Sequence, residues 1–165
     1  MDGKKEVKAK GKPVKLAKAL AILALIAMID AAYLTFLHFA PSGSSFCDIG
    51  PGFSCGIVNK SEFSEVLGVP VASLGFLTFL IIFILSTKIA RGRKESQKVK
   101  YAKWILFLLS ISAIFSVYLI YVQAVFLLSF CILCLFLDLI IFTSLIIAII
   151  LNKSLDQKPV IRKGK

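Results

Sequence analysis

Four blocks of apolar residues, each about as long as a bilayer is thick, limit this chain more tightly than any motif in it. They run from Ala19 to Phe39, Pro70 to Thr87, Trp104 to Phe126 and Phe130 to Leu151. An apolar helix needs about 20 residues to cross the hydrocarbon. The apolar residues are gathered in runs instead of being spread at helix or strand period, as they are on amphipathic elements. With 58% of 165 residues hydrophobic, too few polar side chains remain to cover a soluble domain of this size. The fold class expected is therefore all-α integral membrane: a four-transmembrane-helix bundle over 19–151, flanked by basic tails at 1–18 and 152–165. The first block is longer than the apolar core of a secretory signal and no small-residue cleavage site ends it, so it reads as a retained span.

The formal charge of +11 suggests nucleic acid until its placement is examined. Every lysine and arginine but Lys60 falls into one of three groups: Lys4 to Lys18, Lys88 to Lys103, and Lys153 to Lys165. Basic residues beside span ends stay in the cytoplasm. Both termini and the loop around residue 95 are thus expected inside, with no nucleic-acid partner. The loop from Ala40 to Val69 and the turn around residue 128 are expected outside. That first outer loop carries Asp48, Lys60, Glu62 and Glu65, a net acidic set, and five of the ten glycines. The lysine-rich residues 1–18 read as a disordered tail. Trp104 reads as an interfacial anchor, and Pro70 as a helix start, where its missing N–H costs nothing. Ser61 to Gly68 reads as a short lid helix, with Ser61 as cap and the glutamates in its first turns. The apolar turn from Ala124 to Ser129 lies at membrane depth, so the first outer loop is expected to cover it.

All four cysteines fall at the outer ends of the spans. Cys47 and Cys55 lie in the Gly-rich outer loop, and Cys131 and Cys134 form a C-x-x-C where the fourth span begins. Outside the cytoplasm disulfides persist. At a helix N-terminus, unpaired N–H groups favour a thiolate, the species that attacks a disulfide. An exposed loop pair can meet a soluble partner, and a pair at the membrane edge can meet a lipid-soluble oxidant. Two bland alternatives stand beside redox chemistry. One is a structural zinc held by four cysteines, for which the wide loop spacing is poor. The other is four buried cysteines without a role.

The cysteine segments also resemble a known family. Cys47-Asp-Ile-Gly-Pro-Gly-Phe-Ser-Cys55 is similar to the loop motif C-D-x-G-x-x-x-S-C of the vitamin K epoxide reductase family. Phe130-Cys131-Ile-Leu-Cys134 resembles its F-C-x-x-C, and Gly68-Val-Pro70 with Gly75 resembles the start of its second span in microbial members. The likeness covers roughly residues 20 to 150, and a member without a fused thioredoxin-like domain is expected. It implies a four-helix bundle holding a quinone, of menaquinone or ubiquinone type, beside the C-x-x-C. By that resemblance Cys47 receives electrons from a separate thioredoxin-like protein. Cys55 then attacks Cys131, and Cys134 passes the electrons to the quinone. Where vertebrate members have a tyrosine, four residues after the second C-x-x-C cysteine, this chain has Asp138.

Asp138 shares a helix face with Cys131 and Cys134, and a carboxyl inside a span is costly. It is the expected cofactor-binding residue, able to hydrogen-bond a quinone oxygen or relay a proton; an internal hydrogen bond to another helix is the alternative. Asp30 is a second acid inside a span. His38, the single histidine, reads as an interfacial packing residue. Asn59-Lys60-Ser61 matches a glycosylation acceptor, but its closeness to the membrane makes that a coincidence. Two rivals remain to the vitamin K epoxide reductase reading. One is a DsbB-type enzyme, whose second cysteine pair lies in a loop and not in a C-x-x-C. The other is a non-catalytic scaffold stapled by disulfides.

Overall fold

A computed structural model describes residues 3–41, 47–48, 50, 52–92 and 95–156. The expected basic tail beyond Asp156, and Gly43, Ile49, Pro51, Arg93 and Lys94 in the loops, lie outside the described residues. Four long helices are apolar enough to cross a membrane. They are α1 (Gly3–Phe39), α3 (Val71–Ala90), α4 (Glu95–Val122) and α5 (Ile132–Asp156). The short helix α2 (Cys55–Asn59) and a two-stranded hairpin, β1 (Glu65–Val66) with β2 (Val69–Pro70), lie between α1 and α3. Helix α1 packs on α3 and α5, and α4 closes the ring against the same two.

Helix α1 carries a buried seam of small residues, Ala17, Ala24, Ala27 and Ala31, continued by Leu34. Three- and four-residue steps keep them on one face, and alanines there let backbones approach closely, which is how membrane helices associate without a hydrophobic driving force between them. Phe79 and Ile82 of α3, Ile105 and Leu109 of α4 and Ala148 and Leu151 of α5 complete the core.

Two expectations are corrected. Residues 3–18 are not a disordered tail: α1 begins at Gly3. Lysine, alanine and leucine are good helix formers, and extending a helix already nucleated by its apolar half adds one bond per residue fixed. Nor does Ser61 to Gly68 form a helix. A single 3-10 turn covers Glu62–Ser64, and the hairpin follows. Ser61 makes no capping bond; its hydroxyl donates to the Val58 carbonyl instead. The short helix of this cap is α2, one step earlier in sequence. Pro70 is the N-cap of α3 and closes β2, pairing with Glu65.

The hairpin turns at Leu67 (φ 54°) and Gly68 (φ 77°). Two successive residues with positive φ match the twist of paired strands, at no steric cost to glycine but at some cost to leucine. Gly68→Val is therefore expected to weaken the hairpin by about 1 kcal/mol and Leu67→Asn to strengthen it by a similar order. Hydrogen exchange over residues 61–70 reads both: faster in the first variant, slower in the second. Unchanged exchange in both would contradict the turn.

Candidate functional site

The loop motif folds around one carboxylate. Asp48 Oδ1 accepts the Ser54 hydroxyl at 2.6 Å and the Gly56 N–H at 3.1 Å. Ser54 Oγ in turn accepts the Ile57 N–H at 3.1 Å, capping α2. A side chain at Gly56 would meet Asp48 Oδ2 at 3.2 Å, so glycine lets the carboxylate close on the backbone. The aspartate, serine and glycine of this segment thus fix Cys55 as the first residue of α2.

A backbone bridge then docks the loop onto the C-x-x-C. Phe130 N–H donates to the Gly52 carbonyl at 3.0 Å, and Ser54 N–H to the Phe130 carbonyl at 3.1 Å. The rings of Phe53 and Phe130 lie 6.2 Å apart along this bridge. Cys131 precedes the first residue of α5, and its sulfur accepts the Cys134 N–H at 3.1 Å. Its carbonyl accepts the Leu135 N–H. Cys131 is therefore the helix cap, with sulfur doing what a serine oxygen usually does.

Cys47 is joined to Cys55 and Cys131 to Cys134. Cys55 Sγ and Cys131 Sγ are 3.4 Å apart. With each sulfur in a disulfide there is no S–H to donate, so this is a van der Waals contact between the two bridges. The expectation of an exposed loop pair fails: Cys47 is 2% exposed and Cys55 0%. Both pack with Leu34, Leu37 and Val58, since disulfide sulfur is apolar enough to join a hydrophobic cluster. Cys131 is also fully buried.

Cys134 is half-buried and stands on the wall of a cavity of about 330 Å³. The walls are mostly apolar, with Phe79 and Phe115 among them, and Asn59, Ser116, Gln123 and Asp138 supply polar points. Asp138 Oδ1 accepts a hydrogen bond from the Ser116 hydroxyl, and its Oδ2 is buried without a partner among the described residues. A concave apolar space with a few polar groups is the usual form of a small-molecule site. A quinone's flat, mostly apolar ring with carbonyl oxygens fits it, and an unpartnered buried carboxyl oxygen fits a ligand group. Asp30 is buried in α1 but does not line this cavity.

The cap that roofs the cavity is tied to the end of α1. His38 Nδ1 donates to the Asn59 carbonyl at 2.7 Å, and its Nε2 lies 3.1 Å from Glu65 Oε1. His38 is thus a clamp and not mere packing. Asn59 Nδ2 donates to the Leu34 carbonyl at 2.5 Å. That amide is buried and engaged, which agrees with reading its glycosylation motif as a coincidence. Phe63 of the cap meets Phe126 of the turn between α4 and α5, ring centroids 5.5 Å apart, so the loop between α1 and α3 does reach over that turn.

Sequence reasoning missed Asn59 as a cavity residue, and Ser116 and Gln123 altogether. Single polar residues inside apolar runs are the signal that finds them.

The Vitamin K epoxide reductase family profile matches residues 18–149. The thiol-disulfide oxidoreductase LTO1 of Arabidopsis thaliana is 40% identical over 65 residues, which are 39% of this chain and 17% of that protein. The chain therefore spans only a small part of that relative's length.

Ser54→Ala removes the cap of α2 and one of the bonds to Asp48. A lost cap costs about 1 kcal/mol, so exchange at Ile57 should rise several-fold and the thermal midpoint in detergent should fall. Wild-type exchange at Ile57 would contradict the role given to Ser54.

Proposed function

Because the chain belongs to the vitamin K epoxide reductase family, we propose that it oxidises a separate thioredoxin-like protein outside the cytoplasm and delivers the electrons to a membrane quinone. The chain is a multi-pass membrane oxidoreductase of thiol–disulfide chemistry. The observation that carries the route to quinone is the 3.4 Å approach of Cys55 Sγ to Cys131 Sγ, with Cys134 on a cavity wall beyond.

Four thiol–disulfide exchanges carry the electrons inward. A partner thiolate attacks Cys47, forming a mixed disulfide and releasing Cys55 as thiolate. Cys55 attacks Cys131; the Cys131–Cys134 bond breaks and Cys134 leaves as thiolate. The partner's second thiol resolves the mixed disulfide, and the freed Cys47 attacks Cys55, restoring the loop disulfide and releasing Cys131. The Cys131–Cys134 dithiol then holds two electrons at the cavity. A bound quinone supplies the acceptor for these two electrons together with two protons. Asp138 sits where it can hold a quinone oxygen or carry a proton, with Ser116 orienting its other oxygen. Sulfur atoms at about 3–3.5 Å need little reorganisation to react.

In this reading the bundle over residues 19–151 is the working unit. The basic segments at either end and the loop between α3 and α4 face the cytoplasm, and the cysteines face out. A scaffold stapled by disulfides gains nothing from holding two bridges in sulfur–sulfur contact. A DsbB-type arrangement keeps its second pair off the helix that Cys131 caps.

Purified protein with a reduced thioredoxin-like donor should reduce quinone. Cys134→Ala should abolish this while a mixed disulfide with Cys47 can still be trapped; wild-type turnover in that variant would overturn the electron order. Asp138→Asn keeps an acceptor for Ser116 but loses the acid. Its kcat/KM for quinone should fall by about 10- to 100-fold, the usual worth of a positioned proton donor. Unchanged kinetics would leave Asp138 only a packing role.

A further inference from the structure

We propose that Gln123 is the positioning residue for exchange between the two disulfides, an inference that rests on the relay reading above. At the outer end of α4 the residues Gln123–Leu127 leave α-helical winding for a π turn, which ends at Leu128 in the left-handed region (φ 47°). Single π turns interrupt α-helices frequently at functional sites. Here the turn is followed directly by the strand-like residues that lead into Cys131. Around it Tyr121, Val125 and Phe126 are exposed at 48% or more, whereas Gln123 is 2% exposed. An amide has been drawn inward from an otherwise lipid-facing apolar run.

Its partner explains the burial. Gln123 Oε1 accepts the Cys131 N–H at 2.8 Å. Cys131 is a helix cap, so no carbonyl of α5 can take that N–H, and at 0% exposure neither can water. Phe130 and Ser54 spend their own amides on the bridge to the loop. The glutamine therefore fixes the backbone from which Cys131 Sγ projects toward Cys55. Without an acceptor at 123 the buried N–H must find another partner, and any rotation that does so moves the sulfur out of its 3.4 Å contact. The effect falls on the Cys55-to-Cys131 exchange. It does not fall on the attack at Cys47, which α2 and the Asp48 network organise.

Full-length protein in nanodiscs tests this, with dithiothreitol as donor and a short-chain ubiquinone as acceptor. Gln123→Met matches the length but has no comparable acceptor, and Gln123→Glu keeps an acceptor oxygen at the same reach. The Met variant should lose about tenfold or more in kcat, the equilibrium worth of one unpaired buried N–H. The rate at which dithiothreitol opens Cys47–Cys55 should stay at the wild-type value, and the Glu variant should recover most of the loss. In a Cys47→Ala background the Cys55 thiolate can attack the intact Cys131–Cys134 disulfide and release Cys134 as thiolate, and the resulting Cys55–Cys131 cross-link, trapped by alkylating Cys134, should form more slowly by the same factor. Wild-type exchange in the Met variant, equal loss in the Glu variant, or a loss confined to quinone KM would each overturn the proposal. If the Met variant does not fold, Gln123→Asn, one methylene shorter with the same amide, decides: slow cross-linking supports the role and wild-type cross-linking ends it. Should the unaltered protein reduce no quinone, the relay reading itself falls, and the cross-linking rate still reports on Gln123 alone.

Discussion

The contact between the Cys55 and Cys131 sulfurs is the constraint around which the cysteine-bearing end of the molecule is arranged. Covalent bonds hold each sulfur to its own partner, but nothing covalent holds the two bridges together. That work falls to weak bonds on both sides: Asp48 and Ser54 fix the start of α2, the Phe53–Phe130 bridge docks the loop, and Gln123 takes the Cys131 amide. The Cys131 amide is fully buried, so water cannot replace Gln123 there, and an unsatisfied buried N–H is expensive.

The four helices serve this arrangement from below. The alanine seam of α1 lets α3 and α5 pack close to it. Cys134 and Asp138, one turn apart on α5, face the cavity, so the proposed relay from the loop would end beside a space suited to a flat, lipid-soluble molecule. The cap closes the far side, held to α1 by His38, Asn59 and Lys60.

The spans were legible because length and apolarity are written continuously along the chain. Their ends were less so. Lysines flank α1 without stopping it, and α4 starts at Glu95, well before Trp104, because basic residues mark where a helix leaves the membrane and not where its hydrogen bonds cease. The hairpin at Glu65–Pro70 escaped because two-residue strands are too short to show alternation, while serine and glutamate imitated a helix start. The four cysteines and Asp138 stood out by chemistry. Gln123 and Ser116 did not, since their meaning lies in partners far along the chain: Cys131 for one and Asp138 for the other. The burial of Cys47 was likewise invisible, as it depends on how Leu34, Leu37 and Val58 gather around the loop disulfide.

The central claim is that electrons cross from the loop to the helix through one sulfur–sulfur bond. Rapid acid quenching of the unaltered protein, mixed with one equivalent of reduced donor and no quinone, followed by alkylation and mass spectrometry, tests it most directly. A peptide linking Cys55 to Cys131 should appear early and then decay as Cys47 restores the loop disulfide, leaving Cys131 and Cys134 as thiols until quinone is added. Quinone reduction at full rate, with that linked peptide never present, would contradict the account.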